Sequence, residues 1–249
     1  PGRNLPRGGG AQFKIGGKKI DAGKLLNAGK DVAKAVTLND EEIARLSREA
    51  VEWMDANNPV AADSTTYGAR LKRLTEGITD ADGLPLNFKV YLVTDVNAFA
   101  CGDGSIRVFA ALMDLMDDDE LMAIIGHEMG HVALGHVKKG MQVALGTNAI
   151  RVAAASAGGI VGSLSQSQLG DLGEKLVNSQ FSQRQEAEAD DYSYDLLRQR
   201  GISPAGLATS FEKLAKLEEG RQSSMFDDHP ASAERAQHIR DRMSADGVK

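Results

Sequence analysis

Hydrophobic and polar residues recur with helical spacing in two stretches near the start of the chain. Behind a cap at Asn39, apolar residues return every three or four positions as far as Met54, which predicts an amphipathic helix. A second stretch of this kind begins at Ser64. Its basic residues are expected on the solvent side, namely Arg70, Lys72 and Arg73. We expect both helices to be parts of the scaffold.

The pattern then changes to the alternation of β-strands. Residues 87–94 (NFKVYLVT) alternate, and two shorter runs, 97–101 (NAFAC) and 105–109 (SIRVF), flank a Gly-Asp-Gly turn. This arrangement is a hairpin signal. An exposed edge strand of such a sheet can hold an extended peptide by main-chain pairing. A purely structural hairpin agrees with the pattern equally well.

The next segment, 117–137, is apolar on most sides of a predicted helix. We therefore expect this helix to be buried. Its first turn should be stabilised by acidic residues, since unpaired N–H groups and the positive end of the helix dipole lie there; these residues are Asp117, Asp118, Asp119 and Glu120. The buried helix also carries His127, Glu128 and His131 (HEMGH), and polar side chains in such a place need an explanation.

Zinc chemistry would explain these three residues. Residues four apart lie on one helix face, so His127 and His131 can bind one zinc ion. Zinc with three protein ligands keeps a position for water and lowers its pKa toward neutrality. Glu128 is then placed to act as a general base. His136 lies further round the predicted helix and is interpreted as a polar residue near the helix end, not as a ligand.

The third ligand must come from elsewhere, and an acidic helix predicted over residues 181–197 offers candidates. Glu186 and Asp190 lie four apart on one face. Glu186 could therefore complete the ligand set, while Asp190 accepts the outer N–H of a histidine. Glu188 should face away from them. From these residues alone, an ordinary solvated acidic face is the stronger interpretation.

The segments HEMGH, EAEAD and HPASAER together resemble the three signatures of a gluzincin family of zinc metallopeptidases that includes HtpX and the CAAX prenyl proteases. The resemblance implies an α+β, mainly α-helical, zincin-like fold with a small β-sheet beside the HExxH helix. It implies one catalytic zinc ion bound by His127, His131 and Glu186. It also implies Glu128 as general base and Asp190 as the carboxylate that orients a ligand.

The resemblance extends to the last signature and to the sheet. His229 and Arg235 match the family's HPxxxxR motif. His229 is implied to stabilise the oxyanion or to bind zinc in a resting state, and a helix cap is the structural alternative. The family's edge-strand signature resembles NAFACGDG, which implies that the substrate is bound by Asn97, Ala98, Phe99 and Ala100.

Charge is distributed unevenly along the 249 residues. The net charge of −6 gives no general nucleic-acid footprint, yet the first 34 residues are strongly basic. We expect a basic, glycine-rich, flexible arm over residues 1–37 and a metallopeptidase domain over residues 38–249. The arm could lie on an anionic membrane surface or be a solvated tail without a role.

Residues 141–165 are rich in alanine, glycine and serine. They contain no clean run of about 20 apolar residues, so we expect packed small-residue helices or a lid over the cleft rather than a membrane span. Cys101 is the only cysteine, which excludes a disulfide scaffold and a thiolate zinc site. Two amphipathic helices, beginning near Ser203 and Ser232, complete the predicted scaffold.

These features favour a zinc metalloendopeptidase that acts on unfolded or misassembled envelope proteins. The chain begins at Pro1 without Met and is interpreted as a processed product. The resemblance implies a periplasmic enzyme, anchored to the outer membrane through a lipid on a cysteine of the precursor. Expected partners are protein and peptide substrates, a BepA-type protease of the family and outer-membrane assembly components.

Two alternatives belong to other functional classes. One is a non-proteolytic, zinc-bearing holdase for outer-membrane proteins, which would not need Glu128. The other is a membrane-surface adaptor that acts through the basic arm, for which the HEMGH residues would be dispensable.

Overall fold

The computed structural model describes residues 39–145, 164–218, 229 and 232–248. The predicted basic arm over residues 1–37 lies outside this part of the chain, as do residues 146–163 of the predicted lid segment, so both stay predictions. Among the described residues, no helix has the length and apolar character that crossing a membrane requires.

The described part of the chain is mainly helical, with a three-stranded sheet and a short two-stranded hairpin, so the predicted α+β class is confirmed. The helices are α1 (Asp40–Asn57), α2 (Thr66–Leu74), α3 (Ala110–Leu115), α4 (Asp118–Ala133), α5 (His136–Leu145), α6 (Gln166–Val177), α7 (Gln183–Gln199), α8 (Ala205–Glu218) and α9 (Ser232–Ala245). The strands are β1 (Asp80–Ala81), β2 (Leu84–Pro85), β3 (Asn87–Tyr91), β4 (Ala98–Ala100) and β5 (Ser105–Phe109). The sequence pattern did not predict α3, α6 or the short β1–β2 hairpin.

Strand β5 is the centre of a three-stranded sheet. β3 pairs with it in parallel and β4 pairs with it antiparallel, so the predicted β4–β5 hairpin is confirmed. Gly104 has a φ of 86° in the turn, which side chains disfavour. A Cβ there would also lie 2.1 Å from the carbonyl oxygen of Pro85. The predicted first strand is shorter than its alternating pattern, since β3 ends at Tyr91.

Helix α1 is joined to this sheet by a buried ion pair. It begins after Asn39, as predicted. On its last turn, Asp55 accepts hydrogen bonds from Nε and Nη2 of Arg107 on β5 at 2.9 and 3.0 Å, and Arg107 is 1% exposed. Lys89 and Tyr91 on β3 donate to the same carboxylate at 2.7 and 2.8 Å. One carboxylate thus links α1 to two strands.

Helix α2 differs from its prediction in two respects. It begins after Thr65, whose side chain caps it, and not at Ser64. Arg70, predicted to face solvent, instead donates to the carbonyl oxygens of Met113 and Met116 and to Asp118. The prediction for Arg70 was wrong because a long side chain can reach from the polar side of its own helix to carbonyl groups of a neighbouring helix.

Helix α4 forms the centre of the molecule and is buried from Glu120 to Val132. Its predicted acidic start is confirmed as a capping box between Asp117 and Glu120. The helix packs against α7 and α8. Gly130 allows α7 to come close, since a Cβ at this position would lie 3.0 Å from the backbone of Ala189. The two helices that carry the predicted site residues therefore lie side by side.

Candidate metal centre

Helices α4 and α7 bring four donor side chains together. His127 and His131 of α4, Glu186 of α7 and His229 each offer one ligand atom, and these atoms all lie within 4.8 Å of one another. All four residues are buried. We refer to these four residues as the donor group. Imidazole and carboxylate are ligands that zinc accepts, so the predicted His/His/Glu set converges as the spacing requires.

Both histidines of α4 direct the same ring nitrogen into the donor group. Nε2 of His127 is 3.0 Å from Nε2 of His131. Each of these atoms is 3.5 Å from a carboxylate oxygen of Glu186. The four-residue spacing places both rings on one helix face, and the neighbouring helix supplies the carboxylate opposite them.

Asp190 lies one turn after Glu186 and holds the outer side of His127. Its Oδ1 is 2.8 Å from Nδ1 of His127, which is the contact predicted for an orienting carboxylate. Arg235 of α9 is buried and donates to both oxygens of Asp190 at 2.8 and 2.6 Å. Its Nη1 is 2.7 Å from Oε2 of Glu186. One guanidinium therefore fixes both carboxylates of α7, a contact that the sequence motif alone did not specify.

Glu128 lies at the donor group with an unsatisfied oxygen. It is 1% exposed, its Oε1 has no hydrogen-bond partner, and this atom is 3.6 Å from Nε2 of His229. A buried carboxylate oxygen without a partner is costly, and a water or ion at the donor group would relieve that cost. The donor set and this unpaired oxygen together fit a bound metal ion.

The pKa values of the ionisable groups in the metal centre are shifted in different directions. Burial raises the pKa of Glu128, although nearby His229 opposes the shift. Burial lowers the pKa of His131 well below its ordinary value, which favours the neutral imidazole that a metal needs. Burial and Arg235 also lower the pKa of His127, but hydrogen bonds to Asp190 and Glu186 outweigh them and raise it to about 9.

The carboxylate of Glu186 behaves in the opposite way to that of Glu128. Burial raises the pKa of Glu186, but the charge of His229 and hydrogen bonds to His127 and His131 outweigh this effect and hold its pKa far below the ordinary value. Two buried glutamates a few ångströms apart thus differ in chemistry. One is a permanently ionised ligand candidate, and the other can exchange a proton.

His229 contacts several members of the donor group. Its Nδ1 is 2.9 Å from Oε1 of Glu186 and 3.2 Å from Nε2 of His127. Both of its ring nitrogens face the centre, Nδ1 toward Glu186 and His127 and Nε2 toward Glu128, which favours a role in the chemistry over the helix cap. Both chemical roles that the resemblance implies remain compatible with this position.

Strand β4, predicted to bind substrate, forms one edge of the sheet and packs beside α4. Asn97 precedes it and is 1% exposed. Its Oδ1 accepts from the backbone N–H of Ala98 at 2.8 Å, while its Nδ2 has no partner. Ala98, Phe99 and Ala100 are buried as whole residues, main chain included.

Two residues that sequence reasoning set aside lie directly behind His131. His136 stands outside the donor group, as predicted, but it begins α5, because Gly135 with a φ of 69° follows the end of α4. Its Nδ1 is 3.1 Å from Nδ1 of His131, and its Nε2 is 3.2 Å from Oε2 of Glu188. Glu188 also lies outside the donor group, as its helical angle predicts. The break after α4 produced this contact, and no local pattern signalled it.

Comparison with known proteins adds independent information. Residues 67–243 match peptidase family M48. The chain is 69% identical over 240 residues to metalloprotease LoiP of Escherichia coli (strain K12), a match that covers 96% of this chain and 95% of that protein. It is 45% identical over 227 residues to metalloprotease YcaL of the same organism, and this match covers 91% of this chain and 89% of that protein. It is 27% identical over 227 residues to the β-barrel assembly-enhancing protease of Yersinia pestis, and this match covers 82% of this chain and 44% of that protein.

Proposed function

The chain belongs to peptidase family M48 and is a metalloendopeptidase, and from this premise we propose that it is a zinc enzyme that hydrolyses peptide bonds in unfolded or misassembled envelope proteins. The observation that carries the proposal is the convergence of His127, His131 and Glu186 beside the unpaired Oε1 of Glu128. Three ligands and a buried proton acceptor are the parts that metal-assisted peptide hydrolysis requires.

The proposed mechanism divides the chemistry between a bound metal ion and Glu128. His127, His131 and Glu186 would hold a zinc ion, which would supply a Lewis acid for the scissile carbonyl and lower the pKa of a water molecule. Glu128 takes the proton from the attacking water and then delivers it to the leaving amine. Burial shields Glu128 from bulk water, so a proton that it takes up would pass to the leaving amine and not to solvent.

The neighbouring residues keep these groups in place. Asp190 accepts the Nδ1–H of His127, which leaves Nε2 of that ring unprotonated and directed at the donor group. Arg235 holds Asp190 and Glu186 in a fixed relation. We assign both residues to positioning, because their contacts are to the ligands and to each other.

We propose that His229 donates a hydrogen bond to the carbonyl oxygen as negative charge develops on it. Its Nε2 lies on the side of Glu128. The contact of its Nδ1 with Glu186 also suits a resting state in which His229 occupies a donor position itself. The two roles predict opposite effects of removing the side chain, since an oxyanion donor accelerates hydrolysis and a blocking group slows it.

For the substrate, we propose an extended peptide that pairs with the main chain of β4. The unpaired Nδ2 of Asn97 is a buried donor that a peptide carbonyl would satisfy. Ala98, Phe99 and Ala100 are buried in this structure, so this pairing requires that their backbone N–H and C=O groups first become exposed. Recognition through the main chain would accept many sequences, which suits an enzyme that removes unfolded proteins.

The proposed cellular setting rests on the relatives. One of them bears the name β-barrel assembly-enhancing protease, which supports substrates among outer-membrane proteins. We propose a periplasmic lipoprotein at the outer membrane, engaged in protein quality control. A BepA-type protease and outer-membrane assembly components are its proposed partners.

The test compares casein cleavage by the wild type and by Glu128→Gln, with bound zinc measured in both preparations. Glutamine keeps the shape of glutamate but cannot accept the proton. We expect the variant to retain zinc and to lose at least about 100-fold in kcat. A zinc-loaded variant with full activity would refute Glu128 as the base. A wild type that binds zinc and unfolded proteins without cutting them would favour the holdase.

A further inference from the structure

We propose that His136 and Glu188 form a hydrogen-bonded relay that holds His131 in its metal-binding tautomer and thereby sets the metal affinity of the site. The inference rests on the proposed function, because it concerns the same metal centre. Both residues lie outside the donor group, on α5 and α7, and neither occupies a position that the motifs assign to a ligand. We class them as positioning residues.

The two histidines of α4 are held from behind in different ways. Nδ1 of His127 contacts the carboxylate of Asp190 directly at 2.8 Å. Nδ1 of His131 instead contacts Nδ1 of His136 at 3.1 Å. The other ring nitrogen of His136, Nε2, lies 3.2 Å from Oε2 of Glu188. The second histidine thus reaches its carboxylate through another imidazole.

A single assignment of protons satisfies every contact in the relay. A metal ligand must present an unprotonated nitrogen, and Nε2 of His131 faces the donor group. Its proton therefore lies on Nδ1 and is donated to Nδ1 of His136, which must be unprotonated. The proton of His136 then lies on Nε2 and is donated to Glu188, whose carboxylate only accepts.

The surroundings restrict the relay to this geometry. His136 is 6% exposed. The ring of Phe181 stacks on His131 with centroids 3.8 Å apart and planes at 23°, so that ring cannot turn freely. Nε of Arg184 donates to Oε1 of Glu188 at 2.8 Å, which leaves Oε2 for His136.

The relay has a measurable consequence for metal binding. Outer partners of ligating histidines typically contribute a factor of 10–100 to metal affinity or activity, since they fix the tautomer and raise ligand basicity. His136→Leu removes the acceptor for the N–H of His131. His136→Asn places an amide oxygen close to the former position of Nδ1, so it should restore the hydrogen bond to His131 without the rest of the ring.

The experiment is a competition for zinc between a chelator and the full chain, with casein cleavage measured in parallel. We expect the zinc dissociation constant to rise about 10- to 100-fold in His136→Leu and to stay within about 3-fold of wild type in His136→Asn. His238→Leu is the matched control. His238 contacts Asp191 on the protein surface, and its removal should leave zinc affinity unchanged.

Several results would overturn the relay. One is a folded His136→Leu protein that binds zinc as tightly as the wild type. Another is an equal loss in the leucine and asparagine variants, which would exclude the hydrogen bond as the cause. If His136→Leu fails to fold, Glu188→Ala and Glu188→Gln replace it; the alanine variant should weaken zinc binding and glutamine, which keeps an acceptor, should not.

The wild-type data separate this inference from the proposed function. A wild type that binds zinc and cleaves casein, with variants of unchanged affinity, would refute the relay and leave the peptidase intact. A wild type that neither binds zinc nor cleaves casein would refute both.

Discussion

Burial acts on each ionisable side chain of the metal centre, yet the outcome differs with the charges around it. It raises the pKa of Glu128 and lowers that of His131. At Asp190 it would also raise the pKa, but the charge and hydrogen bonds of Arg235 outweigh burial and lower it. The direction of each pKa shift is thus decided by the charges and hydrogen bonds around the group together with its burial.

Removal of the His229 side chain tests its two proposed roles at this scale. We expect His229→Ala to lower kcat for casein by about 100- to 1000-fold, the usual effect of losing one oxyanion donor. Zinc content should stay near that of the wild type, because His127, His131 and Glu186 remain. Steady-state kinetics and zinc analysis of the purified variant would check this. A faster enzyme would contradict the oxyanion role and identify His229 as a blocking group.

At this scale the sequence predicted which side chains converge in the donor group and missed part of their surroundings. His127 and His131 followed from spacing alone, since helix geometry fixes their relation. Glu186 followed from spacing only as one of two interpretations, because any acidic helix offers such pairs, and the family resemblance favoured it. The contact between His136 and Glu188 depends on how α5 turns back over α4, which no local pattern determines.

At the scale of elements, the close packing of α4 against α7 places the donor group. Gly126 and Gly130 lie on the face of α4 toward α7. A Cβ at Gly126 would lie 2.7 Å from Oγ of Ser193, and one at Gly130 would lie 3.0 Å from the backbone of Ala189. Because Glu186 and Asp190 are carried by α7, the separation of the two helices sets their distance from the histidines.

Two glycine substitutions test this dependence. Gly130→Ala should push α7 away by a few tenths of an ångström, lower the free energy of unfolding by about 1–3 kcal/mol as overpacking does, and weaken zinc binding. Gly140→Ala on α5 is the control, since a Cβ there meets none of the residues that the structure describes within 4 Å. It should stabilise the protein by about 0.5–1 kcal/mol through helix propensity. Urea unfolding and zinc competition would measure both, and a Gly130→Ala protein as stable as the control would contradict the account.

The sequence predicted most elements, and tertiary packing moved their limits. The acidic cap placed the start of α4 correctly, and the alternation in residues 105–109 placed β5. The end of α4 was placed too late because apolar residues continue beyond Ala133, whereas the break is made by the backbone at Gly135. Helix α6 contacts β4 but was not predicted, since the alanine- and glycine-rich pattern before it was interpreted as a single segment.

At the scale of the molecule, the described residues form two hydrophobic clusters around α4 and the three-stranded sheet. One contains α4, α8 and one face of the sheet, and the other contains α1, α6 and the opposite face. The pair between Asp55 and Arg107 joins α1 to the sheet within this second part. Global stability should therefore respond to the charge of Asp55, even though it lies outside the metal centre.

The pH dependence of stability tests that link. Burial raises the pKa of Asp55, but hydrogen bonds from Arg107 and Lys89 outweigh it and hold the pKa below its ordinary value of 3.8. A lowered folded-state pKa stabilises the protein above the unfolded value, and this contribution is lost as the pH falls through the folded value. The stabilisation by Asp55 should therefore be complete at pH 7 and decline only below about pH 4.

Asp55→Asn makes this expectation measurable. At pH 7 it should lower the free energy of unfolding by about 3 kcal/mol, since Arg107 is left buried without its partner. The difference from wild type should shrink as the pH falls below about 4. Asp63→Asn is the control, because Asp63 is largely exposed and its pair with Lys72 is long at 3.5 Å. Urea unfolding of the wild type and the variants at several pH values would measure this difference. A difference between wild type and Asp55→Asn that does not change with pH would contradict the account.

Restoration of activity by zinc tests the central claim most directly. The full chain is stripped with a chelator, and casein cleavage is followed as zinc is returned in known amounts to the wild type and to Glu186→Gln. We predict that cleavage stops on stripping and rises to a plateau at one equivalent of zinc in the wild type, while Glu186→Gln stays inactive at that level because it lacks the ionised ligand. Cleavage that survives stripping, or a plateau reached equally by Glu186→Gln, would contradict the account.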